Sequence, residues 1–248
     1  MKIIVAKNYR EMSERAADLI FAEVLLKPDC VLGLATGSSP LGVYASLSTR
    51  YAEGRIQFHD VITINLDEYQ GIDGNHEQSY RYYMNQNLFQ HIDIQEKNIY
   101  IPDELARDPH KECLRYDQII HEKGRIDLQL LGLGMDGHIG FNEPADSFTT
   151  GTHLVKLDPS TVDANSRFFK RKEDVPRYAY TVGIDTIMQA RKVVMLVCGA
   201  AKAEIVQRAF EGPVVPQVPA SILQLHPDFT LVMDQEASSM LMHSGHLL

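Results

Sequence analysis

Between Gly132 and Pro144 the chain places three ionisable side chains in a glycine-rich segment: Asp136, His138 and Glu143 fall within eight positions. A carboxylate beside an imidazole raises its proton affinity and fixes its orientation, which makes a proton shuttle usable near neutral pH. The plainer alternative is a histidine satisfied by a loop hydrogen bond. Asp67 and Glu68 follow the apolar run Val61 to Leu66, so two carboxylates stand where a buried strand would end. A partly desolvated carboxylate is a stronger base than one in water, and one of the pair could take a proton from carbon. Acidic residues also end strands merely by facing water.

A third segment, Thr36, Gly37, Ser38, Ser39 and Pro40, leads from an apolar run into an amphipathic stretch. Gly37 permits a tight turn, Ser39 suits an N-cap and Pro40 the first helical position. The N–H groups of such a helix start, with the hydroxyls, suit a phosphate; an ordinary capped turn is the alternative. No Gly-Lys-Ser/Thr follows, which excludes a nucleotide P-loop. Lys202, after Val193 to Val197, opens another helix and could reach an anion or simply be solvated.

Gly132, Gly134 and Gly137 also spell GxGxxG, with Asp158 at about the interval a dinucleotide site requires. That site needs a helix straight after the glycines. Gly140, Pro144 and Gly151 oppose one, so the segment reads as a ligand loop rather than an NAD site.

The elements that must position these residues alternate. Short β-branched runs at Cys30 to Ala35, Val61 to Leu66, Leu128 to Leu131, Val193 to Val197 and Phe229 to Met233 are continuous enough to be buried on both faces. Helices are predicted between them, at Met12 to Val24, Ser79 to Phe89, Glu112 to Glu122 and Lys202 to Phe210. The expected fold is α/β: a three-layer, doubly wound, mostly parallel central sheet with helices on both faces, in a single domain over 1–248. Asp158 to Arg177, with Arg167, Lys170, Arg171, Lys172 and Arg177, lacks an apolar stripe and reads as a surface excursion or mobile lid.

With 248 residues, 44% hydrophobic and 23% charged, the chain has the composition of a globular protein throughout. A net charge of −9 argues against nucleic acid as a partner. No run approaches a membrane span, and Met1 to Lys7 is too short for a signal-peptide core, so a cytoplasmic protein is expected. Cys30, Cys113 and Cys198 are few, scattered and in apolar contexts, as reduced core thiols would be. The histidines show no HExxH-type spacing, and no metal is expected.

In sequence order, LGLATGSSP (Leu32 to Pro40), LDEY (Leu66 to Tyr69), GHIGFNEP (Gly137 to Pro144), NSRFF (Asn165 to Phe169), YTVG (Tyr180 to Gly183) and LQLHP (Leu223 to Pro227) resemble the glucosamine-6-phosphate deaminase family over nearly the whole chain. The resemblance implies conversion of glucosamine 6-phosphate and water to fructose 6-phosphate and ammonia, with a small-molecule sugar phosphate as partner, no cofactor, and an oligomeric state left open. By the same resemblance Asp67 matches the base that enolises the open-chain sugar, and His138 the group that opens the ring, supported by Asp136 and Glu143. Thr36, Gly37, Ser38 and Ser39, with Arg167 and Lys202, match the phosphate site, and the segment around Arg167 matches the active-site lid.

Two departures stand out. Ser38 and Ser39 replace the family's common Gly and Thr but keep a hydroxyl beside Pro40. His153 and Val155 stand where the longer, allosteric members carry basic residues, so neither activation by N-acetylglucosamine 6-phosphate nor a hexamer is expected. Two rival readings are a 6-phosphogluconolactonase, which would not need a carbon base, and a non-catalytic sugar-phosphate sensor, which should carry a DNA-binding segment. The motifs do not read the configuration at C4, so galactosamine 6-phosphate is an open alternative substrate.

Overall fold

A computed structural model describes residues 1–157, 162, 166, 169 and 171–241. Seven strands form one sheet in the order β1 (Lys2–Ala6), β10 (Phe229–Asp234), β9 (Lys192–Val197), β6 (Leu128–Gly132), β2 (Val31–Leu34), β3 (Ile62–Asn65) and β5 (Ile99–Tyr100). Every pairing in it is parallel. In β9 the side chains of Val193, Met195 and Val197 enter one apolar cluster, whereas Val194 and Leu196 enter another on the opposite face. This two-sided burial is why the strands read as unbroken apolar runs.

One face is covered by α1 (Tyr9–Leu26), α2 (Leu41–Ala52) and α3 (Tyr80–Asn87), which contribute Met12, Ile20, Tyr44, Leu47 and Met84 to its cluster. The other is covered by α4 (Pro109–Glu122), α5 (Ile184–Gln189) and α6 (Ala203–Phe210), through Tyr116, Ile187, Val206 and Phe210. The expected doubly wound α/β architecture is therefore present. Helix limits follow local chemistry. Asn8 caps α1 by accepting from the Glu11 N–H, and Asp108 caps α4 ahead of Pro109.

From β2 the chain winds outward through β3 to β5, while β6, β9, β10 and β1 build the other half. The winding reverses between β2 and β6, and the crevice beyond their carboxyl ends is where open α/β sheets bind ligands. A second sheet roofs this edge: β4 (Asp67–Tyr69), β8 (Tyr178–Thr181) and β7 (His153–Lys156), all antiparallel. It was not anticipated, because Asp67 to Tyr69 read as the end of the preceding strand. The β3 ladder instead ends at Asn65, Leu66 donates to the Leu34 carbonyl and accepts from the Val182 N–H, and Asp67 pairs with Thr181 in the second sheet. Tyr69, Phe141, Leu157, Val162, Val175 and Ala179 pack beneath this sheet as a third apolar cluster. Of the lid expected over 158–177, residues 158–161, 163–165, 167, 168 and 170 lie outside the described ones, and Arg167 is among them. No described helix is long and apolar enough to cross a membrane.

Candidate functional site

Asp67 opens β4 at the crevice and is buried. Its Oδ1 accepts no hydrogen bond from the described residues. Burial, and then the charge of Glu68, push its carboxyl up to about 8, only partly opposed by the positive charge of His138. A carboxylate held this way is a far stronger base than one in water. Gly140, at φ +59°, brings the GHIGFNEP loop close: a Cβ there would lie 2.8 Å from Thr181 Oγ1 and 3.6 Å from Asp67 Oδ2. Thr181 fixes the loop by accepting from the Phe141 N–H at 3.1 Å, and Asn142 Nδ2 donates to the carbonyls of Ile139 and Val182, both at 2.9 Å.

The loop after β6 continues without a helix to β7, so the GxGxxG glycines do not start a dinucleotide-binding unit. They shape the His138 pocket instead. A Cβ on Gly134 would meet His138 Nδ1 at 2.4 Å, so only glycine lets the ring lie there. His138 Nδ1 sits 2.7 Å from Asp136 Oδ1 and 3.4 Å from Glu143 Oε2. Burial alone would lower the imidazole's proton affinity, but its close ion pairs with these two carboxylates outweigh that and raise it to about 9. Asp136 shows the converse: burial pushes it up, and the hydrogen bond and charge of His138 hold it well below the ordinary carboxylate range. The unit at neutral pH is an imidazolium clasped at Nδ1, with no hydrogen bond on Nε2 among the described residues.

The loop at residues 36–40 lies at the carboxyl end of β2. Ser39 does not cap the helix. Regular α2 structure begins at Leu41 with Pro40 at the N-cap position and no side-chain cap, and Ser39 lies near Cys198. The Tyr9 hydroxyl, from α1, accepts from the Gly42 N–H at 2.8 Å and donates to the Ser38 carbonyl at 3.1 Å. Tyr83 of α3 donates to the Gly37 carbonyl at 2.6 Å. The two tyrosines fix the orientation of the loop carbonyls, and Gly37 supplies the φ of +97° that the turn requires. Neither tyrosine was singled out from sequence, since each lies over 28 positions from its partner. We expect Tyr83→Phe to weaken inorganic phosphate binding roughly 2- to 10-fold, the scale of one hydrogen bond. Calorimetric titration checks this, and an unchanged affinity would exclude Tyr83 from shaping the loop.

Lys202 stands just ahead of α6, where its ammonium donates to the Leu133 carbonyl at 2.5 Å. Burial lowers its proton affinity, and Asp136 partly restores it. Asp234 steadies the approach to Lys202 by accepting the Gly199 N–H at 3.1 and 3.0 Å. A chain of electrostatic contacts thus links Asp67 to His138, His138 to Asp136 and Asp136 to Lys202. Asp136, His138 and Glu143 offer donor atoms within 4.8 Å of one another, close enough for a divalent ion. A metal would first have to displace the proton that the two carboxylates hold on His138.

A doubly wound sheet with a buried carboxylate and a clasped imidazolium at its switch point defines an α/β protein built for proton transfer. The family model for glucosamine-6-phosphate isomerases and 6-phosphogluconolactonases matches residues 6–232. The chain belongs to that family. It is 49% identical over 241 residues to the glucosamine-6-phosphate deaminase of Thermoanaerobacter pseudethanolicus, covering 97% of this chain and 95% of the relative. To that of Lachnoclostridium phytofermentans it is 53% identical over 232 residues, covering 94% and 98%. A solved structure described as a monomeric glucosamine-6-phosphate deaminase superposes with a TM-score of 0.95 at 42% identity, covering 97% of this chain and 100% of that one. The 6-phosphogluconolactonase of Trypanosoma brucei superposes at 0.76 with 19% identity over 97% of this chain and 98% of that one, a likeness of fold alone.

Proposed function

We propose that the chain is an enzyme that converts glucosamine 6-phosphate and water to fructose 6-phosphate and ammonia, acting as a single cytosolic domain. The observation that carries this reading is Asp67: a buried carboxylate with an oxygen unmatched among the described residues, beside a protonated imidazole, where a lactone hydrolase would not need a carbon base.

The closed sugar has no carbonyl, so ring opening comes first. The His138 imidazolium gives a proton to the ring oxygen as the C1 hydroxyl loses one to the carboxylate relay of Asp136 and Glu143. The aldehyde acidifies the C2 proton, which Asp67 removes while the C1 oxygen takes a proton back from the relay. Asp67 then delivers its proton to C1. The amine gives one up to His138, which restores the imidazolium as the C2 imine forms, and water replaces the imine with a ketone, releasing ammonia. Each proton taken is returned, and no cofactor enters. The loop at residues 36–39 and Lys202 hold the phosphate, with Arg167 assigned to it by the family motif. Fixing the substrate far from C1 and C2 is worth on the order of several kcal/mol of barrier.

A monomer with hyperbolic kinetics is the reading we favour. His153 Nδ1 lies 3.0 Å from its own loop's Gly151 carbonyl, and Val155 packs on the third apolar cluster. Val155 offers no cation to an effector phosphate, and the His153 ring is turned to its own backbone.

The test is to incubate the protein with glucosamine 6-phosphate and follow ammonia and fructose 6-phosphate together across pH. Equal release is expected. As a base Asp67 must lose its proton and as an acid His138 must keep its own, so kcat/KM should rise with pH towards about 8 and fall above about 9. Hydrolysis of 6-phosphogluconolactone with no ammonia from the amino sugar would overturn the reading. Faster turnover of galactosamine 6-phosphate would reassign the substrate.

A further inference from the structure

Glu68 takes no part in the steps above, yet it is fully buried next to the proposed base. Both of its oxygens are occupied. Oε1 accepts from the Tyr69 N–H at 2.8 Å and the Tyr80 N–H at 2.9 Å, and Oε2 from the Arg81 N–H at 2.8 Å. Tyr80 and Arg81 are the first two residues of α3, and the N-cap Ser79 accepts the third amide, that of Tyr82, at 3.0 Å. The N–H groups that a helix start leaves unpaired are thereby satisfied by one carboxylate and one hydroxyl. Such a carboxylate is paired by amides rather than by a cation: the nearby guanidinium of Arg81 goes to Glu104 at 3.4 Å. Its charge stays uncancelled in a dry region one residue from Asp67.

We propose that Glu68 is a positioning residue for the proton transfer at carbon: clamped on the first amides of α3, it anchors Asp67 at the crevice and supplies the adjacent negative charge that keeps Asp67 a strong base. This rests on Asp67 acting as the carbon base. Among the described residues, the other titratable groups facing Asp67 leave little room for another source of that charge. The hydroxyls of Tyr44, Tyr80 and Tyr116 are driven by burial well above the ordinary phenol range, and that of Tyr69 to about 12. All four stay neutral while the enzyme works. His138 is positive up to about 9 and acts in the opposite sense. Glu68 is pushed up by burial and pulled back by its three amide bonds, to about 7, so it carries charge through the upper part of the working range. Glu104, the remaining carboxyl in its field, is tied to Arg81.

The experiment compares E68Q with S79A and wild type in kcat/KM against pH, with Tm measured for each. S79A removes a cap from α3 and E68Q leaves it one acceptor oxygen instead of two, so both should lower Tm by a few degrees; only E68Q removes charge next to Asp67. In E68Q the acid limb is expected to move down by on the order of one pH unit, with a several-fold lower plateau, since a less basic group abstracts more slowly. In S79A the limb should stay in place. Titration of the substrate's phosphate and amine is common to all three proteins and drops out. An E68Q limb that overlays wild type, or an S79A limb that moves as far, overturns the proposal. The wild-type enzyme gives a reading that needs no variant: in a carboxyl-carbon NMR titration the Asp67 signal should inflect where Glu68 titrates, and a single unperturbed step overturns it equally. Absence of ammonia release from wild type would instead remove the function itself, so the two failures are distinct.

Discussion

Asp67→Asn is expected to lower kcat for ammonia release by roughly 10²- to 10⁴-fold, the range contributed by a positioned general base. That corresponds to about 3–5 kcal/mol of barrier. The amide matches the carboxyl in shape, so sugar-phosphate affinity should stay within a few-fold, while both products are lost together because they arise from one abstraction. Stability should move the other way. Asp67 holds its proton to about 8 in the folded protein, against about 4 when unfolded. Between those values the folded state binds more protons, so its stability falls as pH rises from about 4 through about 8. Removing the carboxyl abolishes that loss, and the Tm of Asp67→Asn relative to wild type should be higher at pH 8 than at pH 5. Retained turnover in a folded variant would assign the C2 proton to another group. Equal Tm differences at both pH values would contradict the desolvated carboxyl.

How far the sequence discloses this site depends on the distance between the partners. Asp136, His138 and Glu143 are legible because the three lie in one loop, where spacing alone implies contact, and the structure places Nδ1 against both carboxylates. The parallel strands are legible for a similar reason, since burial on both faces writes an unbroken apolar run. The second sheet is not. β4 has three residues with no periodicity, and its partner β8 lies more than 100 positions later. Ser39 carries the local signature of an N-cap, but the Tyr9 hydroxyl arrives from another helix and takes the Gly42 amide, a competition that no short window reveals. Glu68 reads as half of an acidic pair, and its separate task emerges only when α3 is docked with its first amides on that carboxylate. Arg167, assigned by the NSRFF motif, lies outside the described residues.

His138→Gln should cost as much as loss of the base, by a different route. With no imidazolium to protonate the ring oxygen, opening is left to solvent, and Asp67 can act only on the small open-chain fraction. We expect kcat/KM to fall roughly 10²- to 10⁴-fold. Because opening then limits the rate, the isotope effect on turnover of C2-deuterated substrate should shrink towards unity, where wild type shows one to the extent that abstraction limits it. Asp67→Glu, which keeps a carboxylate but misplaces it, should do the reverse and enlarge the effect. The ion pair also has a signature in stability. The proton affinity of His138 is raised to about 9 when folded, against about 6.5 unfolded. Its contribution is therefore complete below about 6.5 and is lost as pH rises through about 9. Asp136 is lowered, so its own contribution is complete above its unfolded value, near 4, and disappears only in stronger acid. The Tm deficit of His138→Gln should accordingly be widest between about pH 5 and 6.5 and narrow towards pH 9. If the variant opened the ring at the wild-type rate and kept the full isotope effect, the clasped imidazolium would be a structural strut, and the proton for the ring oxygen would have to come from elsewhere in the crevice.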